Sequence, residues 1–212
     1  MTKIKICGIT NQKDAFYSAT LGANYLGFNF YKNSPRRISV KMASSIVSKL
    51  PSCTEPVGIF VDEQIEKIKM IIEKTKIKII QLHGKEDVEF CQKLKNELEN
   101  IKLIKTIKIK DENSVSDMEK YIGIVDFFLF DTYNQNLEGG TSTAFNWDIA
   151  LNAKKYNVPL FLAGGLTPEN VTEAIKKLQP YAVDVASGVE RLPRRKDYDK
   201  LKQFILNVQK MQ

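Results

Sequence analysis

The sequence predicts an α/β fold, a closed (β/α)8 barrel of eight parallel strands alternating with eight helices, in a single domain over residues 1–212. Three observations carry this expectation. Short runs rich in Ile, Val, Leu and Phe alternate with longer amphipathic stretches along the whole chain, and no Gly-, Ser- or Pro-rich linker interrupts them. At 212 residues the chain is near the lower limit for eight such units, so insertions must be few. Polar and glycine residues collect at the carboxyl ends of the short runs, where a barrel keeps its chemistry. The rival is an open doubly wound sheet, which usually shows a Gly-rich turn after its first strand; GITNQKD is not that turn. Periodicity alone does not separate the two.

The strand candidates are Lys3–Cys7, Tyr25–Phe30, Pro56–Phe60, Ile77–Gln81, Ile101–Ile107, Val125–Asp131, Pro159–Ala163 and Ala182–Ala186. Each is short and β-branched or aromatic, as strands covered on both faces should be. Between them the helical patterns run over Asn11–Leu21, Val40–Leu50, Glu63–Lys74, Asp87–Leu98, Ser114–Tyr121, Asp148–Lys155, Pro168–Leu178 and Tyr198–Lys210. The first opens on a polar cap, Asn11, with Asp14 three residues on. The seventh is expected to be capped by Thr167, with Pro168 in the first turn and Glu169 at the positive end.

Composition narrows the function classes. Hydrophobic residues make up 43% and charged residues 27%, enough apolar material for a sizeable core, so disorder is not the default. The net charge of +7 is spread along helices beside Glu and Asp rather than in a Lys/Arg block. That pattern suits an anionic small molecule better than nucleic acid. Three separated cysteines, Cys7, Cys53 and Cys91, argue against a disulfide framework and against a zinc site. No apolar run approaches the ~20 residues of a membrane span. The expectation is a cytoplasmic protein with no metal, no nucleic acid and no membrane partner.

The strand ends hold the candidate chemistry: Cys7-Gly8, Asn29 to Arg37, Gln81-Leu82-His83-Gly84, Asp131-Thr132, Gly164-Gly165 and Ser187-Gly188. AGGLTPEN runs from a strand through two glycines toward a helix, and DVASGVE sets Ser187 and Gly188 at the end of the next strand. Glycine lets backbone N–H groups approach an anion, and a helix N-terminus adds partial positive charge. In barrels this loop pair is the recurrent phosphate site. Tight turns alone are the competing reading. Gly164, Gly165, Ser187 and Gly188 are therefore the expected phosphate binders.

KICGIT, FYKNSPRRIS, QLHG, the Asp131 strand end, LEGGT-x3-FNW, AGGLTPENV and VDVASGVE resemble, in order, the motifs of the phosphoribosylanthranilate isomerase family of tryptophan biosynthesis. They span Lys5 to Glu190, nearly the whole chain. The resemblance implies a cofactor-free Amadori rearrangement, in which a phosphoribosyl aminoaldose opens and isomerises to an aminoketose. An acid protonates the furanose ring oxygen, and a base then removes the proton from C2. The resemblance assigns Asp131 as acid and Cys7 as base. It also makes Arg36 the group that grips the anthranilate carboxylate and His83 a binding or positioning residue. Asp184 is left between a ribose-hydroxyl contact and a structural hydrogen bond.

These roles make opposite demands. A free thiol titrates near ~8.5, so Cys7 needs a lowered pKa or a route for its proton, and the Thr10/Asn11 helix start offers backbone N–H groups. Asp131 needs a rise from ~3.9, for which Phe127, Phe128, Phe130 or bound substrate would supply the desolvation. A small buried hydrophobe is the competing reading of Cys7; for Arg36 it is a solvated loop charge. The chain departs from the family's usual pattern in two places: Ser142 follows Gly139-Gly140-Thr141 where glycine is usual, and Arg194 replaces the glycine usual after Pro193. The enzyme alternative is the indole-glycerol phosphate synthase type of barrel, which calls for lysine and glutamate catalysts. The non-enzyme alternative is a basic barrel that binds nucleotides or RNA.

Overall fold

The computed structural model describes residues 1–111, 113–132 and 147–211. Eight parallel strands close into a barrel: β1 (Lys3–Ile6), β2 (Tyr25–Asn29), β3 (Glu55–Phe60), β4 (Ile79–Leu82), β5 (Lys102–Ile109), β6 (Phe127–Thr132), β7 (Leu160–Leu162) and β8 (Ala182–Val185). The closing pair is β1 with β8, in a register that sets Lys3 opposite Ala182 and Lys5 opposite Asp184. An open sheet has two edge strands and this ring has none, so the closure excludes the doubly wound alternative. The helices among the described residues are α1 (Gln12–Thr20), α2 (Val40–Val47), α3 (Ile65–Thr75), α4 (Val88–Glu97), α5 (Asn113–Ser116), α6 (Trp147–Leu151), α7 (Val171–Leu178) and α8 (Tyr198–Gln209).

Several ends follow local chemistry. Asn11 sits in an extended conformation and accepts from the Asp14 N–H at 2.9 Å, while its amide donates to the Asp14 carboxylate at 2.7 Å. The expected cap is thus a reciprocal one. The seventh helix departs from expectation. Thr167 does not cap it; its N–H donates to Asn170 Oδ1 at 2.8 Å, and Asn170 Nδ2 donates to the Gly165 carbonyl at 2.9 Å. That side-chain clamp closes the loop first, so α7 begins at Val171 rather than at Pro168. The fifth and sixth units are each a short α-helix followed by a 3-10 turn, Glu119–Tyr121 and Asn152–Tyr156. After β8 comes a hairpin that the pattern did not predict, β9 (Glu190–Leu192) with β10 (Arg195–Lys196), turning through Pro193-Arg194.

Because strand side chains alternate, the barrel carries two cores. Ile4, Ile6, Phe128 and Phe130 face outward into the layer shared with the helices. Tyr25, Val57, Ile79, Ile104, Phe127, Leu129, Phe161 and Ala182 fill the inside. Counting on by two from that apolar floor reaches Asn29, Gln81, Thr106, Asp131 and Asp184, so the upper interior is polar on five strands. On β1 the inward set is Lys3, Lys5 and then Cys7.

Candidate active site

At the carboxyl end of the barrel a cavity opens, and eight of the nine residues expected in the site line it. Cys7, Arg36, Asp184 and Ser187 stand on one side, and His83 and Asp131 on the other, with Gly164 and Gly165 between them. Gly188 is the exception. A Cβ there would come within 2.0 Å of the Leu166 carbonyl oxygen, so this glycine lets the loops after β7 and β8 pack together behind the cavity wall. Ser142, with the rest of the LEGGT-x3-FN stretch, lies outside the described residues.

Cys7 is partly buried in a crowd of charges. Two residues earlier on the same face, Lys5 is fully buried and its ammonium meets Asp184 Oδ2 at 2.8 Å. Burial works against the Lys5 charge, but Asp184 and Cys7 together hold it above the ordinary lysine value. The Cys7 thiol is itself pushed up by burial, while Lys5, Lys196 and Arg36 pull it down and Asp184 raises it further. The expected lowering of this thiol by a helix start is not what the site provides, since α1 begins five residues on, at Gln12. Three cations offset a desolvation that they do not overcome.

On the other side the direct contacts are hydrogen-bonding groups. Asp131 Oδ1 accepts from the Thr132 N–H at 2.8 Å, and Oδ2 stands 3.4 Å from His83 Nε2. His83 Nδ1 is 3.0 Å from Gln81 Nε2 and 3.1 Å from Thr106 Oγ1. With the Gln81 amide nitrogen donating, Nδ1 accepts and the ring proton sits on Nε2, facing Asp131. Phe128 and Phe130 point away into the outer core, so they are not the groups that flank this carboxyl. Strand alternation explains the difference. Behind the histidine, Glu86 accepts from the backbone N–H groups of Asp62 and Gly84 and from the buried Lys105 at 2.7 Å, which fixes the loop after β4.

Between the two sides the backbone turns through positive φ at Gly164 (81°) and Gly165 (69°). Among the described residues, the N–H groups of Gly164, Gly165 and Ser187 donate to no protein acceptor. Two buried acceptors that line the cavity also lack a donor among the described residues, Asp184 Oδ1 and Gln81 Oε1. The site thus offers donors suited to an anion and acceptors suited to hydroxyls. Lys5, Glu190 and Lys196 were not among the expected site residues, whereas Gln81 stood in the QLHG strand end without a role. A lysine inside an apolar strand, in step with Cys7, was the available signal for the first; Lys196 belongs to no motif.

A family model described as N-(5'-phosphoribosyl)anthranilate isomerase matches residues 4–207. An isomerase of that name from Geotalea uraniireducens is 45% identical over 205 residues, covering 97% of each chain. The one from Geotalea daltonii is 44% identical, covering 97% of this chain and 95% of its own. The crystal structure of phosphoribosyl anthranilate isomerase from Thermotoga maritima superposes with a TM-score of 0.91 at 39% identity, covering 99% of this chain and all of that one. A second structure, of such an isomerase in complex with reduced 1-(o-carboxyphenylamino)-1-deoxyribulose 5-phosphate, gives 0.88 at 38% identity over 99% of this chain and 100% of its own. With the match running from β1 through α8 and taking in both sides of the cavity, the chain belongs to the N-(5'-phosphoribosyl)anthranilate isomerase family.

Proposed function

We propose that this chain converts N-(5-phosphoribosyl)anthranilate to 1-(2-carboxyphenylamino)-1-deoxyribulose 5-phosphate, the third step from chorismate to tryptophan, with Cys7 as general base and Asp131 as general acid. The observation that carries the reading is the convergence of a thiol, a carboxyl group and unpaired backbone amides on one cavity. The amides of Gly164, Gly165 and Ser187 hold the substrate phosphate, with Gly188 setting the spacing of the two loops. Asp184 Oδ1 and Gln81 Oε1 accept from sugar hydroxyls; a buried acceptor left unpaired costs ~1–3 kcal/mol, which a bound hydroxyl recovers. Arg36 takes the anthranilate carboxylate.

Chemistry then needs two proton movements. Asp131 gives its proton to the furanose ring oxygen; the C1–O bond breaks as the anilino nitrogen lone pair forms the C=N bond of a protonated Schiff base. The positive charge so created acidifies the C2 proton. It also favours a thiolate nearby, adding to Lys5, Lys196 and Arg36 against the burial of Cys7. Cys7 removes the C2 proton, the electrons settle as an enol, and tautomerisation gives the aminoketose. His83 positions Asp131 through Nε2 and does not transfer the proton itself. No cofactor is called for, because the substrate nitrogen serves as the electron sink. The working form is a cytoplasmic monomer or homodimer; no helix among the described residues is long and apolar enough to cross a membrane. The test is loss of substrate fluorescence on adding the purified protein, with and without a metal chelator. Turnover that survives the chelator is expected; no consumption of phosphoribosylanthranilate by folded protein would end the proposal.

A further inference from the structure

We propose that Glu190 and Lys196, carried on the β9–β10 hairpin, are positioning residues that aim Arg36 end-on at the aryl carboxylate of the substrate. The inference rests on the reading of Arg36 given above. Glu190 takes one edge of the guanidinium: Arg36 Nε lies 3.0 Å from both carboxylate oxygens, and Nη2 lies 2.6 Å from Oε2. Nη1 has no protein partner among the described residues, so the edge left for a planar, two-pronged acceptor is the Nη1/Nη2 edge. The stem is fixed as well. It crosses Gly8, where a Cβ would come within 2.5 Å of Arg36 Cδ.

Glu190 is in turn held by Lys196. That lysine side chain is 1% exposed and has three acceptors for its three protons: the Cys7 carbonyl at 2.7 Å, the Ala186 carbonyl at 3.1 Å and Glu190 Oε1 at 3.4 Å. The hairpin is therefore tied to the ends of β1 and β8, and it cannot shift without losing bonds to the strand that bears Cys7. Charge counting points the same way. Arg36 and Lys196 supply two positive charges and Glu190 one negative, in a cluster whose side chains are 12%, 1% and 4% exposed. The net positive charge favours any anion beside the cluster, the Cys7 thiolate as well as a ligand carboxylate. Glu190 does not use up Arg36; it turns the free edge toward the cavity.

The test compares two ligands by calorimetry. One is reduced 1-(o-carboxyphenylamino)-1-deoxyribulose 5-phosphate, and the other is the same compound made from aniline, without the carboxylate. Wild-type protein should prefer the first by roughly tenfold to a hundredfold, the range for a charge-assisted pair. Arg36→Met should abolish the preference. Glu190→Gln keeps the shape but offers Arg36 one acceptor instead of two, so the preference should fall to a few-fold. Affinity for the aniline compound should then stay within about twofold of wild type. The double variant should match Arg36→Met alone. Glu190→Asp, which keeps the charge but moves it back by one methylene, should also lose preference and serves as the second variant if Glu190→Gln does not fold. A full preference in a folded Glu190 variant, or equal weakening of both ligands, overturns the positioning role. If Arg36→Met itself keeps the preference, the reading of Arg36 fails and the inference goes with it.

Discussion

The two sides of the cavity hold Cys7 and Asp131, the proposed base and acid, by different means. Around Cys7 the groups are charged and buried: the Lys5–Asp184 pair below, with Lys196, Glu190 and Arg36 beside it. Around Asp131 the direct contacts are hydrogen-bonding groups, His83, Gln81, Thr106 and a backbone N–H, and the buried Lys105–Glu86 pair stands behind the histidine. A thiol in a dry place makes a poor anion unless cations stand near, because desolvation penalises the charged form. A carboxyl that must give up and regain a proton needs fixed geometry more than a strong field. One side therefore sets buried ions directly around its group, whereas the other keeps its buried Lys105–Glu86 pair behind the histidine and meets Asp131 with polar bonds.

Removing the reactive group from each side has the largest expected effect. Cys7→Ser and Asp131→Asn should each keep the fold in a thermal melt and cut kcat by ~10²–10⁴-fold or more. Near-wild-type kcat in a folded Cys7→Ser protein would remove the base assignment and make His83 the next residue to test.

Lys5→Met probes the charged side alone. It strands the Asp184 carboxylate in the barrel interior, and breaking a buried pair costs ~3–5 kcal/mol, or roughly 6–20 °C in Tm for a protein of this size. Lys5→Met with Asp184→Asn should recover much of that loss, because no uncompensated charge is left. Equal melting temperatures for wild type and Lys5→Met would show that the pair contributes nothing.

The same contrast predicts a pH profile. In the proposed mechanism the thiolate is the active form, and burial raises the thiol, so at neutral pH a smaller fraction is thiolate than in a free cysteine. The rise of kcat/KM with pH should thus extend through the ordinary cysteine range near ~8.5. Lys5→Met, which removes a lowering influence, should push the rise to still higher pH. A shift toward acid would contradict the offset that Lys5 is argued to provide.

Smaller effects are expected at the rim of the charged side. Arg36→Ala should mainly raise KM, by roughly tenfold to a hundredfold, with kcat falling less. Loss of kcat at unchanged KM would instead place Arg36 in the chemistry. At the hairpin turn Arg194 has φ of 74°, a left-handed conformation that costs a non-glycine residue ~1–2 kcal/mol. Arg194→Gly should stabilise the fold by about 1 kcal/mol or less, since glycine also gains freedom in the unfolded chain. A lower Tm for this variant would mean that the arginine side chain makes a compensating contact.

Much of this was legible in the sequence. The alternation of apolar runs and amphipathic stretches reports burial and period, which are local properties, so all eight strand regions and their helices were placed to within a few residues. The strand ends brought Cys7, the Asn29 to Arg37 segment, the QLHG segment, Asp131, Gly164, Gly165 and Ser187 to one face, because in a barrel the position along a strand already decides which end of the molecule a residue reaches; the family resemblance singled out Arg36 and His83 within those segments. What the chain order could not supply was the company each group keeps. Lys5 meets Asp184, and Glu190 meets Arg36, only because β8 closes on β1 in one particular register. The pKa directions follow from that company: burial and three nearby cations act on Cys7, not a helix terminus. Alternation also turned Phe128 and Phe130 away from Asp131, and a clamp by Asn170 delayed α7 by three residues. Periodicity is set by neighbours along the chain, whereas ion pairs and desolvation are set by neighbours across the closed barrel; only the tertiary structure decides those.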